Sequence, residues 1–350
     1  MSTYIVTGGA GFIGSAFVRK ALSLNDKIIV LDALTYSGYR QNLIEVEHKF
    51  GFEFVEGNIK DAALVASLFS KFQPDAVINF AAESHVDRSI ESSKEFVSTN
   101  IVGTNVLLQT VLNYWQKIPL ERRQEFRFLQ VSTDEVYGSI KSGEASEQSP
   151  NNPRSPYAAS KASADMLTKS YFFTHKLPIL VTLGCNTYGP RQFPEKFIPL
   201  LILRAISGMS LPVYGDGTNI REWIHVDDHA EAIYEVLKNA IPGNSYNIGS
   251  GHRIPNIEVV RALCLTLSEL VPASPSYDSL IEYVTDRPGH DYRYAMDASK
   301  IEQELGWKPN IEFGRGLVSS VRWYLENQEW WRPITAEQYH LNRIGLGNGG

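Results

Sequence analysis

The first thirty-two residues constrain the fold more than any other stretch. Thr3-Tyr4-Ile5-Val6-Thr7 has the composition of a buried strand and runs directly into Gly8-Gly9-Ala10-Gly11-Phe12-Ile13-Gly14. Glycines at 8, 11 and 14 allow, in turn, a tight turn, close approach of backbone to a pyrophosphate, and close packing of the next helix on the strand. The spacing predicts a helix from Phe12 to about Leu24, whose free amides and positive end would hold phosphates. A second strand, Lys27-Ile28-Ile29-Val30-Leu31, ends at Asp32. A carboxylate there accepts hydrogen bonds from both adenosine ribose hydroxyls and repels a 2′-phosphate, so NAD is expected rather than NADP. Glycine spacing alone is a weak signal. Strand, glycines, helix, strand and acid in that order make a strong one.

Strand-like runs recur at Phe52–Val55, Ala76–Ala81, Phe128–Ser132 and Ile179–Leu183, with helical patterns between them at Ala62–Phe72, Lys94–Trp115 and Tyr157–Phe173. That alternation predicts the α/β class: a Rossmann-type doubly wound parallel sheet with helices on both faces. Beyond about Asn186, Gly189-Pro190, Phe193-Pro194, Gly215-Asp216-Gly217 and Arg287-Pro288-Gly289 break the chain into short pieces, as expected of a smaller α/β substrate-binding lobe. Ile224 to Leu237 has helical spacing and is expected to return to the first domain. The predicted organisation is an NAD-binding domain at 1–185 joined by 224–248, a lobe formed by 186–223 and 249–335, and a tail at 336–350 whose glycine-rich end, Gly345 to Gly350, is expected to fray.

A chain of 350 residues can bury a large core, and its formal charge of −6 argues against a nucleic-acid-binding surface. Two cysteines, Cys185 and Cys264, form neither a disulfide framework nor a metal-ligand spacing, so no metal is expected and a reducing compartment fits. No basic-then-apolar leader precedes the first strand. Apolar runs such as Phe197 to Leu203 are too short to span a bilayer. A cytoplasmic protein that binds no membrane is the expectation.

Two short strings carry the chemistry. Tyr157-Ala158-Ala159-Ser160-Lys161 places a phenol and an ammonium one helical turn apart, on one face. An ammonium beside a phenol favours the phenolate, a base for a sugar hydroxyl. Thr133-Asp134-Glu135-Val136-Tyr137-Gly138 sets two adjacent carboxylic acids just after a buried strand. Moving a hydride needs only the tyrosine and lysine. Removing water needs an acid and a base as well.

These residues resemble the extended short-chain dehydrogenase/reductases and, within them, the dTDP-glucose 4,6-dehydratases. The narrower likeness rests on Asp32-Ala33-Leu34-Thr35-Tyr36-Ser37-Gly38, the run Ala81 to Ser89, Thr133 to Gly138 and Gln192-Phe193-Pro194-Glu195-Lys196. It continues through Gly215-Asp216-Gly217 with Arg221 and Glu222, then Asp286 to Asp291. The resemblance implies that Gly8, Gly11, Phe12, Ile13, Gly14, Asp32, Leu34, Thr35, Asn58, Ile59, Ala81, Ala82, Ser84 and Thr99 hold NAD together with Tyr157 and Lys161. It implies that Ser84, His85, Arg88, Asn186, Glu195, Lys196, Pro212, Tyr214, Arg221, Asn256, Arg287 and His290 hold a nucleotide sugar. Tyr157 would take the C4 hydroxyl proton, Thr133 would orient that hydroxyl, and Lys161 would hold the nicotinamide ribose and keep the Tyr157 pKa low. Glu135 would remove the C5 proton and protonated Asp134 would donate to the departing C6 hydroxyl. The resemblance also implies a homodimer built on the helices at Lys94–Trp115 and Tyr157–Phe173.

The chain departs from the family pattern in two places. Asn58 stands where an aspartate usually meets the adenine amino group, and Leu183-Gly184-Cys185-Asn186-Thr187-Tyr188 loses an arginine to Leu183. The second departure leaves a 4,6-dehydratase of another nucleotide sugar, such as UDP-glucose, as an alternative. A nucleotide-sugar 4-epimerase or decarboxylase shares the first oxidation but has no use for Asp134-Glu135. A non-catalytic NAD-binding scaffold would have no reason to keep Thr133, Tyr157 and Lys161 together.

Overall fold

Apolar runs without polar alternation call for strands covered on both faces. The computed structural model, which describes residues 1–286, 289–339 and 341, meets that demand. Strands β1 (Thr3–Thr7), β2 (Lys27–Asp32), β3 (Phe52–Glu56), β4 (Ala76–Asn79), β5 (Arg127–Thr133) and β6 (Ile179–Gly184) are followed by β7 (Asn186–Tyr188), β8 (Leu211–Tyr214) and β9 (Ile220–His225). The remaining strands are β10 (Ser245–Ile248), β11 (Arg253–Pro255) and β12 (Ile281–Val284). The main sheet has the order β10-β6-β5-β4-β1-β2-β3, with every pair parallel. Strand order reverses between β1 and β4, and the crevice outside their carboxyl ends is where such sheets bind ligands.

The segment 224–248 contributes to this sheet: β10 pairs with β6, and the helix Val226–Asn239 packs against the helix Phe12–Ser23. That helix begins later than its spacing suggests. Ile224 and His225 belong to β9, which pairs with both β7 and β11, and backbone pairing outweighs helical periodicity there. The pattern over Lys94–Trp115 is also divided, since a π-helical stretch, Val97–Gly103, separates Lys94–Phe96 from Thr104–Trp115.

A second core closes over the crevice. Tyr188, Phe193, Leu201, Trp223, Leu263 and Leu317 pack with the helices Phe197–Ile206, Asn256–Leu270 and Phe313–Glu326. Two small sheets, β11-β9-β7 and β12-β8, line its edges. The stretch around Met296, Ile301 and Trp307, assigned to the lobe on sequence pattern, packs instead into the core of the main sheet. It does so because the helix Ser299–Leu305 lies on β10 and on the helix Val226–Asn239. No helix among the described residues is long and apolar enough to cross a membrane.

One close contact shows how tightly the lobe is packed. Gly316 sits against Tyr188, and a Cβ there would lie 2.2 Å from the Tyr188 hydroxyl, which donates to the Phe313 carbonyl at 3.2 Å. Gly316→Ala should therefore destabilise the fold by about 1–3 kcal/mol through overpacking. Calorimetry should show a lowered Tm. An unchanged Tm would mean that Tyr188 can move away freely.

Candidate active site

The glycine loop is a cradle that side chains would fill. Gly8 adopts φ +68°, and a Cβ on it would lie 2.6 Å from the Ala81 amide nitrogen. A Cβ on Gly14 would lie 2.3 Å from the Gly8 carbonyl oxygen. The backbone is thus open to a pyrophosphate at the amino end of the helix Phe12–Ser23. Asp32 Oδ2 accepts from the Ala10 amide at 2.8 Å and Oδ1 from the Leu34 amide at 2.9 Å. Burial raises this carboxyl and the two amides oppose the rise. Each oxygen keeps a second acceptor position for a ribose hydroxyl. Loop and acid together fit a dinucleotide.

The reactive end is built by two local devices. Ser155 caps the helix Pro156–His175, accepting from the Ala158 amide at 3.1 Å, and Pro156 opens its first turn. That fixes Tyr157 and Lys161 on the inward face. Lys161 Nζ donates to the Val131 carbonyl of β5 at 2.6 Å, which seats the helix on the strand that ends in Thr133. From there the chain turns through Asp134–Tyr137, with Thr133 Oγ1 accepting from the Glu135 amide and donating to Asp134 Oδ1, each at 3.3 Å. The Tyr137 hydroxyl donates to Asn247 on β10 at 2.9 Å and anchors the turn.

Electrostatics divide the carboxylates. Burial, then Glu135 and Glu222, push Asp134 well above the usual carboxylate range, against the opposing pull of Arg221. Asp134 Oδ2 is buried and has no hydrogen-bond partner among the described residues, as befits a neutral acid holding its proton. Glu135 is partly exposed at the cleft. Tyr157 corrects an expectation. Burial and the Glu135 carboxylate raise its phenol well above the ordinary value, with only Thr133 opposing strongly. Lys161 exerts no comparable pull, because its ammonium is turned to Val131 and to Asp165 one helical turn on.

One cleft gathers most of the predicted residues. Gly8, Gly11, Phe12, Ile13, Gly14, Asp32, Thr35, Asn58, Ile59, Ala81, Ala82, Ser84 and Thr99 line it with Thr133, Asp134, Glu135, Tyr157, Lys161, Asn186 and Lys196. Leu34 lies off the wall at φ +47° and contributes the amide that orients Asp32. Arg88 and Glu195 pair with each other at 3.0 Å, with Arg88 over the Tyr36 ring and His85 4.0 Å from Glu195. Glu195 is buried, where an unpaired carboxylate would be costly, so its pairing with the partly exposed Arg88 joins the sheet domain to the lobe beside the cleft. Lys196 reaches the Ser84 carbonyl at 3.0 Å.

Arg221 is buried, donates to the Asp291 carbonyl at 2.8 Å and stacks on Tyr294, close enough to act on Asp134. It is no surface salt bridge. Pro212 and Tyr214 lie on β8, Asn256 opens the helix Asn256–Leu270, and His290 pairs with Asp286 at 2.6 Å beside the Tyr214 ring. All four stand in the lobe, away from the cleft wall. Arg287 lies outside the described residues. Leu183 is a core residue and does not line the cleft, so the lost arginine leaves the wall to Cys185, Asn186 and Thr187.

Sequence reasoning missed three supports. Asn100, in the π-helical stretch, bonds both backbone groups of Glu83 and the Ser160 hydroxyl. Asp165 accepts from Ser132 and faces Lys161. His229 enters the cleft wall from a distant helix. Only Asp165 had a legible signal, since it lies four residues after Lys161 on the same helix face.

A parallel dinucleotide-binding sheet with a threonine, tyrosine and lysine at its reactive end defines a short-chain dehydrogenase/reductase of the extended kind. The family model described as GDP-mannose 4,6 dehydratase matches residues 5–319. The dTDP-glucose 4,6-dehydratase of Xanthomonas campestris pv. campestris (strain B100) is 51% identical over 348 residues, 99% of each chain. A crystallised dTDP-glucose 4,6-dehydratase from Streptomyces venezuelae, with NAD and TYD bound, superposes with a TM-score of 0.88 at 46% identity over 95% of this chain and 99% of that one. The UDP-glucose 4-epimerase of Thermotoga maritima shares the fold, with a TM-score of 0.82 over 93% and 99% of the two chains, but only 28% of the sequence. The chain belongs to the dTDP-glucose 4,6-dehydratase family.

The buried Asp165 supplies a pH test. Burial lifts its carboxyl to about 6, with Lys161 and the Ser132 hydroxyl opposing. A pKa raised on folding stabilises fully below the unfolded value near 4, and that contribution is lost as pH rises through about 6. Asp165→Asn removes this dependence. Denaturant titrations from pH 4 to 8 should show wild type losing stability relative to the variant, by about 3 kcal/mol over the whole window. Parallel profiles would mean that Asp165 does not titrate there.

Proposed function

We propose that the protein dehydrates dTDP-glucose to dTDP-4-keto-6-deoxyglucose, with NAD bound as a cofactor that ends each cycle unchanged. The observation that carries this reading is the pair Asp134 and Glu135 on one turn beside Tyr157, with Asp134 held neutral by its surroundings. A hydride-transfer enzyme or an epimerase has no use for such an acid–base pair. The names of its relatives supply the thymidine nucleotide.

The C5 hydrogen of a hexose is not acidic, so the C6 hydroxyl cannot leave directly. A ketone at C4 makes the C5 hydrogen removable by a carboxylate. Tyr157 takes the C4 hydroxyl proton and Thr133, whose hydroxyl stands beside it, orients that hydroxyl. NAD, when bound, supplies the hydride acceptor for C4, the hydride donor for C6, and a positive ring charge that favours the Tyr157 phenolate its surroundings otherwise oppose. Lys161 holds the nicotinamide ribose. Glu135 removes the C5 proton and returns it once C6 is reduced. Asp134 donates its proton to the departing C6 hydroxyl, which leaves as water. Arg221, buried, and Lys196, half-buried, are cations next to these carboxylates and are assigned to the diphosphate side.

The protein is assigned to the cytoplasm and to a homodimer. Exposed Val97, Val102, Met166 and Phe173, on the π-helical stretch Val97–Gly103 and the helix Pro156–His175, support a subunit contact there.

Incubation with dTDP-, UDP-, GDP- and CDP-glucose should give loss of one water by mass spectrometry from dTDP-glucose alone. Water loss from another nucleotide sugar would move the substrate, and an isomer of unchanged mass would replace dehydration by epimerisation. Glu135→Gln and Asp134→Asn should still oxidise C4, read as absorbance of the reduced cofactor, yet lose dehydration by about 10²–10⁴-fold. Tyr157→Phe should impair the oxidation itself. Full dehydration by Glu135→Gln would remove that residue from its role.

A further inference from the structure

The reaction as derived gives no work to His229, a titratable residue of the cleft wall. His229 is 1% exposed, and its ring borders the cleft with Gly184, Cys185 and Thr187. It depends on the bare backbone of Gly184, where a Cβ would lie 2.4 Å from the ring Cε1. Thr187 Oγ1 stands 2.7 Å from His229 Nδ1 and 3.2 Å from the Cys185 carbonyl oxygen. A hydroxyl carries one proton and a carbonyl only accepts. Both contacts are hydrogen bonds only when Thr187 donates to Cys185 and accepts from Nδ1–H. The ring is neutral at pH 7, because burial lowers it to about 4. Nε2 is then a lone-pair acceptor, buried and without a hydrogen-bond partner among the described residues.

A buried acceptor left unmatched is costly, so the cleft should supply a donor. Position along the cleft narrows the choice. Gly184, against the ring, pairs in register with Thr133, which puts His229 at the reactive end and far from the ribose acid Asp32. Its helix packs on Phe12–Ser23, the helix that opens at the glycine loop, and also meets β7 and β9, so the ring sits where the dinucleotide half of the cleft meets the lobe. At that end a nicotinamide dinucleotide carries two kinds of donor: the ribose hydroxyls, on the side assigned to Lys161, and the amino group of the carboxamide, which donates without accepting and suits a lone-pair acceptor.

We infer that His229 is a cofactor-positioning residue whose Nε2 accepts a hydrogen bond from the nicotinamide carboxamide, its tautomer set by Thr187. The inference rests on the NAD reading above. Its test is displacement of radiolabelled NAD from the full-length enzyme by three competitors: NAD, its 3-acetylpyridine analogue, whose methyl replaces the amino group, and its thionicotinamide analogue, which keeps it. In wild type the acetylpyridine analogue should compete about five- to ten-fold more weakly than NAD, and the thionicotinamide analogue nearly as well. His229→Leu should remove most of that discrimination, and His229→Gln, which can present an amide oxygen, should restore part of it.

Unchanged discrimination in His229→Leu overturns the assignment. So does a loss of discrimination confined to the thionicotinamide analogue, which would make Nε2 a donor to the carbonyl. If His229→Leu does not fold, Thr187→Val carries the test: unlocking the ring should weaken the discrimination, and an unaltered ratio overturns it. Failure of wild type to hold labelled NAD at all would instead overturn the cofactor reading itself.

Discussion

The hydrogen bond on which the reactive end most depends runs from the Lys161 ammonium to the Val131 carbonyl, beside the Ser132–Asp165 bond between the same helix and strand. It is buried and charge-assisted, and it joins a helix to a strand that are separate in sequence. Because β5 ends two residues later at Thr133, seating Lys161 on Val131 sets where Tyr157 stands relative to Thr133, Asp134 and Glu135. The Ser155 cap fixes where the helix begins, and Asp165 balances the buried ammonium from the turn behind. Strand, helix and catalytic turn behave as one unit for this reason.

The same burial that holds these groups also separates their charges. Two carboxylic acids adjacent in sequence differ because Asp134 is enclosed and Glu135 reaches the cleft. Enclosure penalises a second negative charge, so the Asp134 carboxyl is pushed well above the usual carboxylate range. The same burial, with the Glu135 carboxylate, raises the Tyr157 phenol well above its ordinary value. The lobe adds a further layer. Arg88–Glu195 and Lys196–Ser84 tie it to the main sheet next to the cleft.

Much of this was legible because it is local. The glycine triplet, Asp32, the Tyr157–Lys161 spacing and the Asp134-Glu135 string each act within a few residues, and each lies on the cleft. Leu34, Arg88 and Glu195 show what motif reading leaves out: the Leu34 amide orients Asp32, and Arg88 pairs with Glu195. Asn100 and His229 were invisible for a different reason, since each enters the site from an element distant in sequence and belongs to no string.

Periodicity and short-range chemistry therefore determined the parallel sheet, the dinucleotide loop and which side chains stand together at the cleft. Hydrophobic spacing and glycine sterics operate over distances the chain itself encodes. Tertiary structure alone decided that Ile224 and His225 pair as strand, that β10 extends the main sheet, and that Met296 to Trp307 packs on it. It also decided which carboxyl is pushed above the usual range and which way the Lys161 ammonium turns. Those outcomes depend on burial and on partners brought together from opposite ends of the chain. Neither exists until the fold is complete.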